Sequence, residues 1–320
     1  MAFRDRRVPC VAILSWSCKR SERSGPVRLV DSHVHLDRYS DDQIQAMVSR
    51  ATAAGVAHLL TIGVDVPSSR SAVEIAGRYE AVLAAVGVHP TRVAGLTSPP
   101  AGDPSPPAPL TCARGRGSHG GAVGPEEWMR RLLGEGEAAR AAGRLVAIGE
   151  VGLDEGAPDL AAQERFLAGC ASLAVERDLP LVLHVVGREE IHARALEIVQ
   201  AQGKARAVAH YFVGGPELAA RYLEAGCWIS VGRPATRPTE VAVRLAVPTI
   251  PLDRLLLETD TYPLPGRTTE PKDVATVCAA VAEITGREYA EVAAATTASF
   301  AAFLGRTVAM HDADGRLPTG

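Results

Sequence analysis

Eight short apolar runs punctuate the chain: VRLVD, AHLLTIG, AVLAAVGVH, LVAIGE, LPLVLH, ARAVAH, CWISVG and RLLLETD. Each has the length of a buried strand. They are apolar almost throughout, whereas a strand with one wet face alternates, so parallel strands covered on both faces are predicted. Helical signals lie between them, in residues 41–55, 67–80, 160–178, 188–203 and 215–226. Asp41 and Asp42 suit a first turn, Pro67 and the serines after it suit a helix start, and Gly55, Gly203 and Gly226 suit helix ends. Strand followed by helix, eight times, predicts an α/β fold of the (β/α)₈ TIM-barrel type. The rival, an open doubly wound sheet, calls for a glycine-rich turn after the first strand. Here that strand ends in DSHVH.

Three segments fall outside this rhythm. Residues 1–27 begin with a basic stretch and a short apolar run, Val8 to Trp16, with no small-x-small cleavage site after it. The run is far shorter than the ~20 residues a membrane helix needs. This segment reads as a poorly ordered extension, or as the product of an upstream start codon. Residues 95–124, dense in Pro, Gly and Ser, read as a flexible insertion after the third strand, with its arginines and His119 in a solvated linker. Residues 305–320 read as a polar tail, whose His311 is not a ligand, so the barrel is expected over 28–304. Six scattered cysteines without a CxxC motif favour a reducing cytoplasm. A net charge of −3 and an aromatic content of 4% exclude a cationic coat or a broad base-stacking surface for nucleic acid. They leave room for an enzyme that touches a few phosphates.

Active sites of such barrels lie at the carboxyl ends of the strands. Those ends carry His33 and His35, His89, Glu150, His184, His210 and Asp260, so five of the nine histidines in the chain fall there. In HVH the two imidazoles, two residues apart on a strand, point to the same face. Alone, the HxH is as compatible with a polar loop as with a metal site, and His184 or Glu150 alone would suit a core hydrogen bond or an arginine pair. The set together points to metal. Four histidines and two carboxylates can hold two divalent ions if one carboxylate bridges, an arrangement suited to displacement at phosphorus. Nitrogen and oxygen donors without thiolate suit Zn²⁺, Mn²⁺ or Co²⁺, while Mg²⁺ favours more oxygen.

The motifs DSHVHLD, AVGVHP, AIGEVGLD, LPLVLH, VAHYFVGG and LLLETDTYPL occur in the order seen in TatD-like metal-dependent hydrolases, of the amidohydrolase-type barrels. The chain resembles that family from about Leu29 to Leu304. The resemblance implies that His33 and His35 bind a first metal, that Glu150 bridges, and that His184 and His210 complete a second. Asp260 would sit at the first metal and orient or deprotonate the attacking water. His89 is implied either at substrate phosphate or in a supporting hydrogen bond. The implied activity is that of a deoxyribonuclease of the 3′-5′ exonuclease type, using a two-metal-activated water, with DNA as substrate and RNA or a small phosphoester as alternatives. Arg188, Arg233 and Arg267 are candidate phosphate contacts, each equally readable as an exposed loop arginine. No membrane association is implied. Three departures fall on the rim: HVVGREE after His184, a short loop without tyrosine after GLD, and RTTEP with Thr269 in place of asparagine. Rims set substrate choice, so amide or ester hydrolysis is the runner-up. A strand-four lysine, which would mark the phosphotriesterase relatives, is absent, Glu150 standing there instead. A non-catalytic partner-binding barrel predicts an eroded ligand set, and this set is intact.

Overall fold

The computed structural model describes residues 27–97, 125–266 and 268–306. Most of the expected extension, insertion and tail, with His119, His311 and Arg267, therefore lies outside the described residues. Eight strands form one sheet in sequence order: β1 (Leu29–Val34), β2 (Val56–Ile62), β3 (Val82–Val86), β4 (Leu145–Asp154), β5 (Leu181–Val186), β6 (Ala207–Ala209), β7 (Trp228–Val231) and β8 (Leu255–Leu257). Every neighbouring pair is parallel. A bridge between Val34 and Thr261 joins the β8 end back to β1. His35 N donates to Thr261 O and Asp260 N to His33 O across that seam. The expected (β/α)₈ barrel is the observed fold.

The helices are α1 (Asp41–Ala53), α2 (Val66–Arg78), α3 (Pro90–Val93), α4 (Pro125–Glu135), α5 (Glu137–Ala141), α6 (Leu160–Arg177), α7 (Glu189–Ala201), α8 (Pro216–Glu224), α9 (Val241–Ala246), α10 (Val274–Thr285) and α11 (Tyr289–Leu304). Start signals are local. Ser40 and Gln43 form a capping box at α1. At α2 the cap is Asp65, one residue before the helix, and Ser68 returns the bond; the serines after Pro67 are already helical. Gly55 and Gly226 sit at positive φ just past α1 and α8, where a Cβ would be strained.

Two apolar layers hold the barrel. Strand side chains facing the helices pack with residues such as Ile44, Ile75, Phe166, Leu173 and Val277. A smaller inner cluster joins Val30, Leu60, Leu83, Val182, Val208 and Leu256 to Phe300 and Phe303 of α11, which packs against β1 and β8. Among the described residues no helix is long and apolar enough to cross a membrane.

One boundary differs from the sequence reading. Glu150 lies inside β4, not at its end, because β4 runs on to Asp154 after a register shift between Ile148 and Val151. The continuation pairs Gly152 with His184. A Cβ on Gly152 would stand 1.8 Å from the His184 carbonyl oxygen, so only glycine permits this approach.

Candidate metal centre

The strand ends deliver their polar side chains to a cavity of about 510 Å³. His33 and Glu150 are buried, 0% and 3% exposed. His35, His89, Glu150, His184, His210 and Asp260 line the cavity walls. As the HVH spacing predicts, the first two rings converge: His33 Nε2 and His35 Nε2 are 3.2 Å apart. Across the site, His184 Nδ1 and His210 Nε2 face each other at 3.2 Å. Glu150 stands between the pairs. Its Oε1 is 2.7 Å from His184 Nδ1 and 2.8 Å from His210 Nε2, and its Oε2 is 3.5 Å from His33 Nε2. Asp260 Oδ1 lies 3.4 Å from His35 Nε2.

Burial disfavours the charged form of Glu150, yet His210, His184 and His33 outweigh it and hold the carboxyl well below its usual range. Asp260 behaves alike: burial raises it, and His35, His33 and His210 bring it below normal. His89 differs. Burial presses its imidazole down to about 4, with His184 and His210 adding to the effect and Glu150 opposing it. It is neutral at pH 7, its Nδ1 beside Thr91 Oγ1 at 2.8 Å and its Nε2 3.5 Å from Glu150 Oε1.

The donor set fits divalent cations. A neutral imidazole has one donor and one acceptor nitrogen, so each facing pair can share one proton between two lone pairs. Adding protons would charge rings that lie within 4.0 Å of each other, as His33 and His210 do. A cation satisfies the same lone pairs without that repulsion. Among the described residues, three groups bring ligand atoms within 4.8 Å of one another: His33, His35 and Glu150; His89, Glu150 and His184; and His33, His210 and Glu258.

Two buried acids that the sequence reading did not single out lie against these candidate ligands. Glu258, 0% exposed, accepts from Tyr211 N at 2.6 Å and lies 3.5 Å from His210 Nδ1. Asp31 accepts from Thr259 N at 2.9 Å, Thr259 Oγ1 at 2.6 Å and His33 N at 3.3 Å. It thereby ties His33 to the β8 loop that carries Asp260, and burial raises its carboxyl well above the usual range despite these bonds. Both acids sit beside predicted ligands, in VDSHVH and LETD, and that adjacency was the available signal.

Two of the three rim arginines have other partners. Arg188 is not among the residues lining the cavity. It pairs with Glu155, Nε to Oε1 at 2.7 Å, with its backbone N donating to Oε2. Arg233 donates to Thr269 beside a separate small cavity. Arg38 and Arg92, neither of them singled out, do line the main cavity.

Comparison with known proteins agrees with this geometry. The family model described as TatD related DNase matches residues 30–305. A Mycobacterium tuberculosis protein called an uncharacterized metal-dependent hydrolase, TatD, is 29% identical over 287 residues, 85% of this chain and 96% of that one. The Cronobacter sakazakii 3′-5′ ssDNA/RNA exonuclease TatD is 32% identical over 231 residues, 70% of this chain and 74% of that one. In fold, the crystal structure of YJJV, a TatD homologue from Escherichia coli, superposes with a TM-score of 0.70 at 24% identity, covering 88% of this chain and 100% of that one. The chain belongs to the TatD-related DNase family of metal-dependent hydrolases.

Proposed function

We propose that this protein hydrolyses phosphodiester bonds in single-stranded DNA, removing nucleotides from the 3′ end, at a centre of two divalent ions. One observation carries the reading: ligand atoms delivered by β1, β3, β5 and β6 converge around one buried carboxylate, Glu150 of β4. His33, His35 and Asp260 would hold one ion, His184 and His210 the other, with Glu150 between them. Bound there, the ions supply positive charge that acidifies water and offsets charge on the phosphoryl oxygens.

The remaining roles belong to the protein's own groups. Asp260, kept ionised beside His35, accepts the proton of the attacking water. Its backbone N is bound to His33 O, so the base is held in register with a ligand strand. His89, neutral and with its Nε2 near Glu150, is placed to donate to a non-bridging phosphate oxygen. The cavity volume falls in the range of ~300–1,000 Å³ usual for small-ligand sites, enough for a terminal nucleotide and too small for a duplex.

The test uses single-stranded DNA labelled at its 3′ or 5′ end, incubated with metal-free protein to which Mg²⁺, Mn²⁺, Co²⁺ or Zn²⁺ is returned. Stepwise shortening that requires metal and loses the 3′ label first is expected. Intact DNA, from protein that still binds metal, would redirect the reading to a small ester or amide substrate.

A further inference from the structure

We propose that Arg38 and Arg92 form a phosphate-anchoring wall that guides the strand out of the centre over the β1–β3 edge of the barrel. The inference rests on the phosphodiesterase reading and names where the substrate's non-scissile phosphates lie.

Thirteen residues line the main cavity, and Arg38 and Arg92 are the only lysines or arginines among them. Arg38 ends the short turn after β1, and Arg92 lies in α3 after β3. β1 and β3 flank β2, and Val64 in the turn after β2 also lines the cavity, so both arginines stand on one arc of the mouth. Their strands are two spacings apart, about 10 Å, room for each to meet a separate phosphate. Arg38 lies with Nε 3.2 Å from Asp37 Oδ2 and its side chain 43% exposed. Arg92 is exposed, and its guanidinium has no hydrogen bond or ion pair among the described residues.

The adjoining arc, after β4 and β5, is acidic: Arg188 is bound to Glu155 there and Glu189 to Arg221, while Asp154 ends β4 and Glu190 lies in α7 after β5. A strand whose terminal phosphodiester sits at Glu150 and Asp260 therefore meets acid towards β4 and β5 and arginine towards β1 and β3. The contacts are to backbone phosphate, so they carry no base preference. Arginine suits the task because its planar fork matches phosphate oxygens in pairs.

The test compares metal-loaded wild type with Arg38→Gln, Arg92→Gln and the double variant on two substrates. One is a twelve-nucleotide single strand; the other is bis(p-nitrophenyl) phosphate, a diester with no neighbouring phosphate. The ratio of kcat/KM for the oligonucleotide to that for the small diester should fall roughly threefold per variant and about tenfold in the double variant. The loss should appear in KM rather than kcat. Each phosphate contact on a single strand contributes about 0.7 to the slope of log affinity against log salt, so the double variant's slope should be shallower by about 1.4. An unchanged ratio and slope would overturn the wall. Equal slowing on both substrates would also overturn it, assigning the arginines to the integrity of the centre. If wild-type protein with bound metal cleaved neither substrate, the phosphodiesterase reading itself would fail, and the wall with it.

Discussion

Glu258→Gln replaces one oxygen by nitrogen at a site with no solvent exposure. In the native protein Glu258 Oε1 accepts from Tyr211 N at 2.6 Å and faces His210 Nδ1 at 3.5 Å. A carboxylate can only accept, so it favours the proton on His210 Nδ1 and leaves Nε2, 2.8 Å from Glu150, as the lone pair facing the cavity. A glutamine oxygen can keep both contacts, but without the charge. Charged acceptors make bonds roughly twice as strong as neutral ones. Weakening the partner of a ligating histidine typically costs about 10- to 100-fold in metal affinity, or about 1.4–2.7 kcal/mol. Folding should respond in the opposite sense. Glu258 Oε2 is buried without a hydrogen-bond partner, so a neutral amide removes a desolvated charge. Calorimetric titration of Mn²⁺ into metal-free protein should show the weaker affinity. The metal-free melting temperature should hold or rise. Native Mn²⁺ affinity in Glu258→Gln would refute the idea that Glu258 orients His210, and a collapsed melting temperature would make its role merely structural.

Three further perturbations probe the frame around the centre. Gly152→Ala puts a Cβ where the His184 carbonyl now lies, so the β4–β5 pairing must break; a thermal melt within a degree or so of native would contradict that packing. Asp31→Ala leaves Thr259 N and His33 N without their buried acceptor and should cost about 1–3 kcal/mol in the denaturant-derived free energy. Arg188→Ala removes only an exposed ion pair with Glu155, and oligonucleotide turnover should stay within about twofold of native.

Legibility in the sequence tracked how local the determining physics was. The strands announced themselves because they are largely buried on both faces and therefore mostly apolar, α1 and α6 because Ser40 and Asp159 cap them from the same few residues, and α8 because Pro216 opens it and Gly226 follows it. HVH was readable because strand geometry alone aims alternate side chains together. By contrast, α10 and α11 are alanine-rich and buried along much of their length, so they show little contrast between faces. That Glu150 lies within β4 depends on the Gly152–His184 approach, a contact 32 residues apart in sequence. Rim residues were the hardest. An arginine's sequence neighbours do not say whether its fork will close on a local acid, as Arg188 does on Glu155, or face the cavity, as Arg38 and Arg92 do. Glu258 and Asp31 look like ordinary flanking acids until the barrel closes and buries them against His210 and Thr259.

The central claim is that the histidines and carboxylates around Glu150 act as one metal centre that hydrolyses phosphodiesters. The most direct measurement is hydrolysis of single-stranded DNA as metal-free protein receives increasing equivalents of Mn²⁺, with Glu150→Ala carried through the same titration. Activity should rise to a plateau near two equivalents per chain in the native protein and stay at background in the variant. Hydrolysis that survives metal removal, or that Glu150→Ala retains in full, would contradict it.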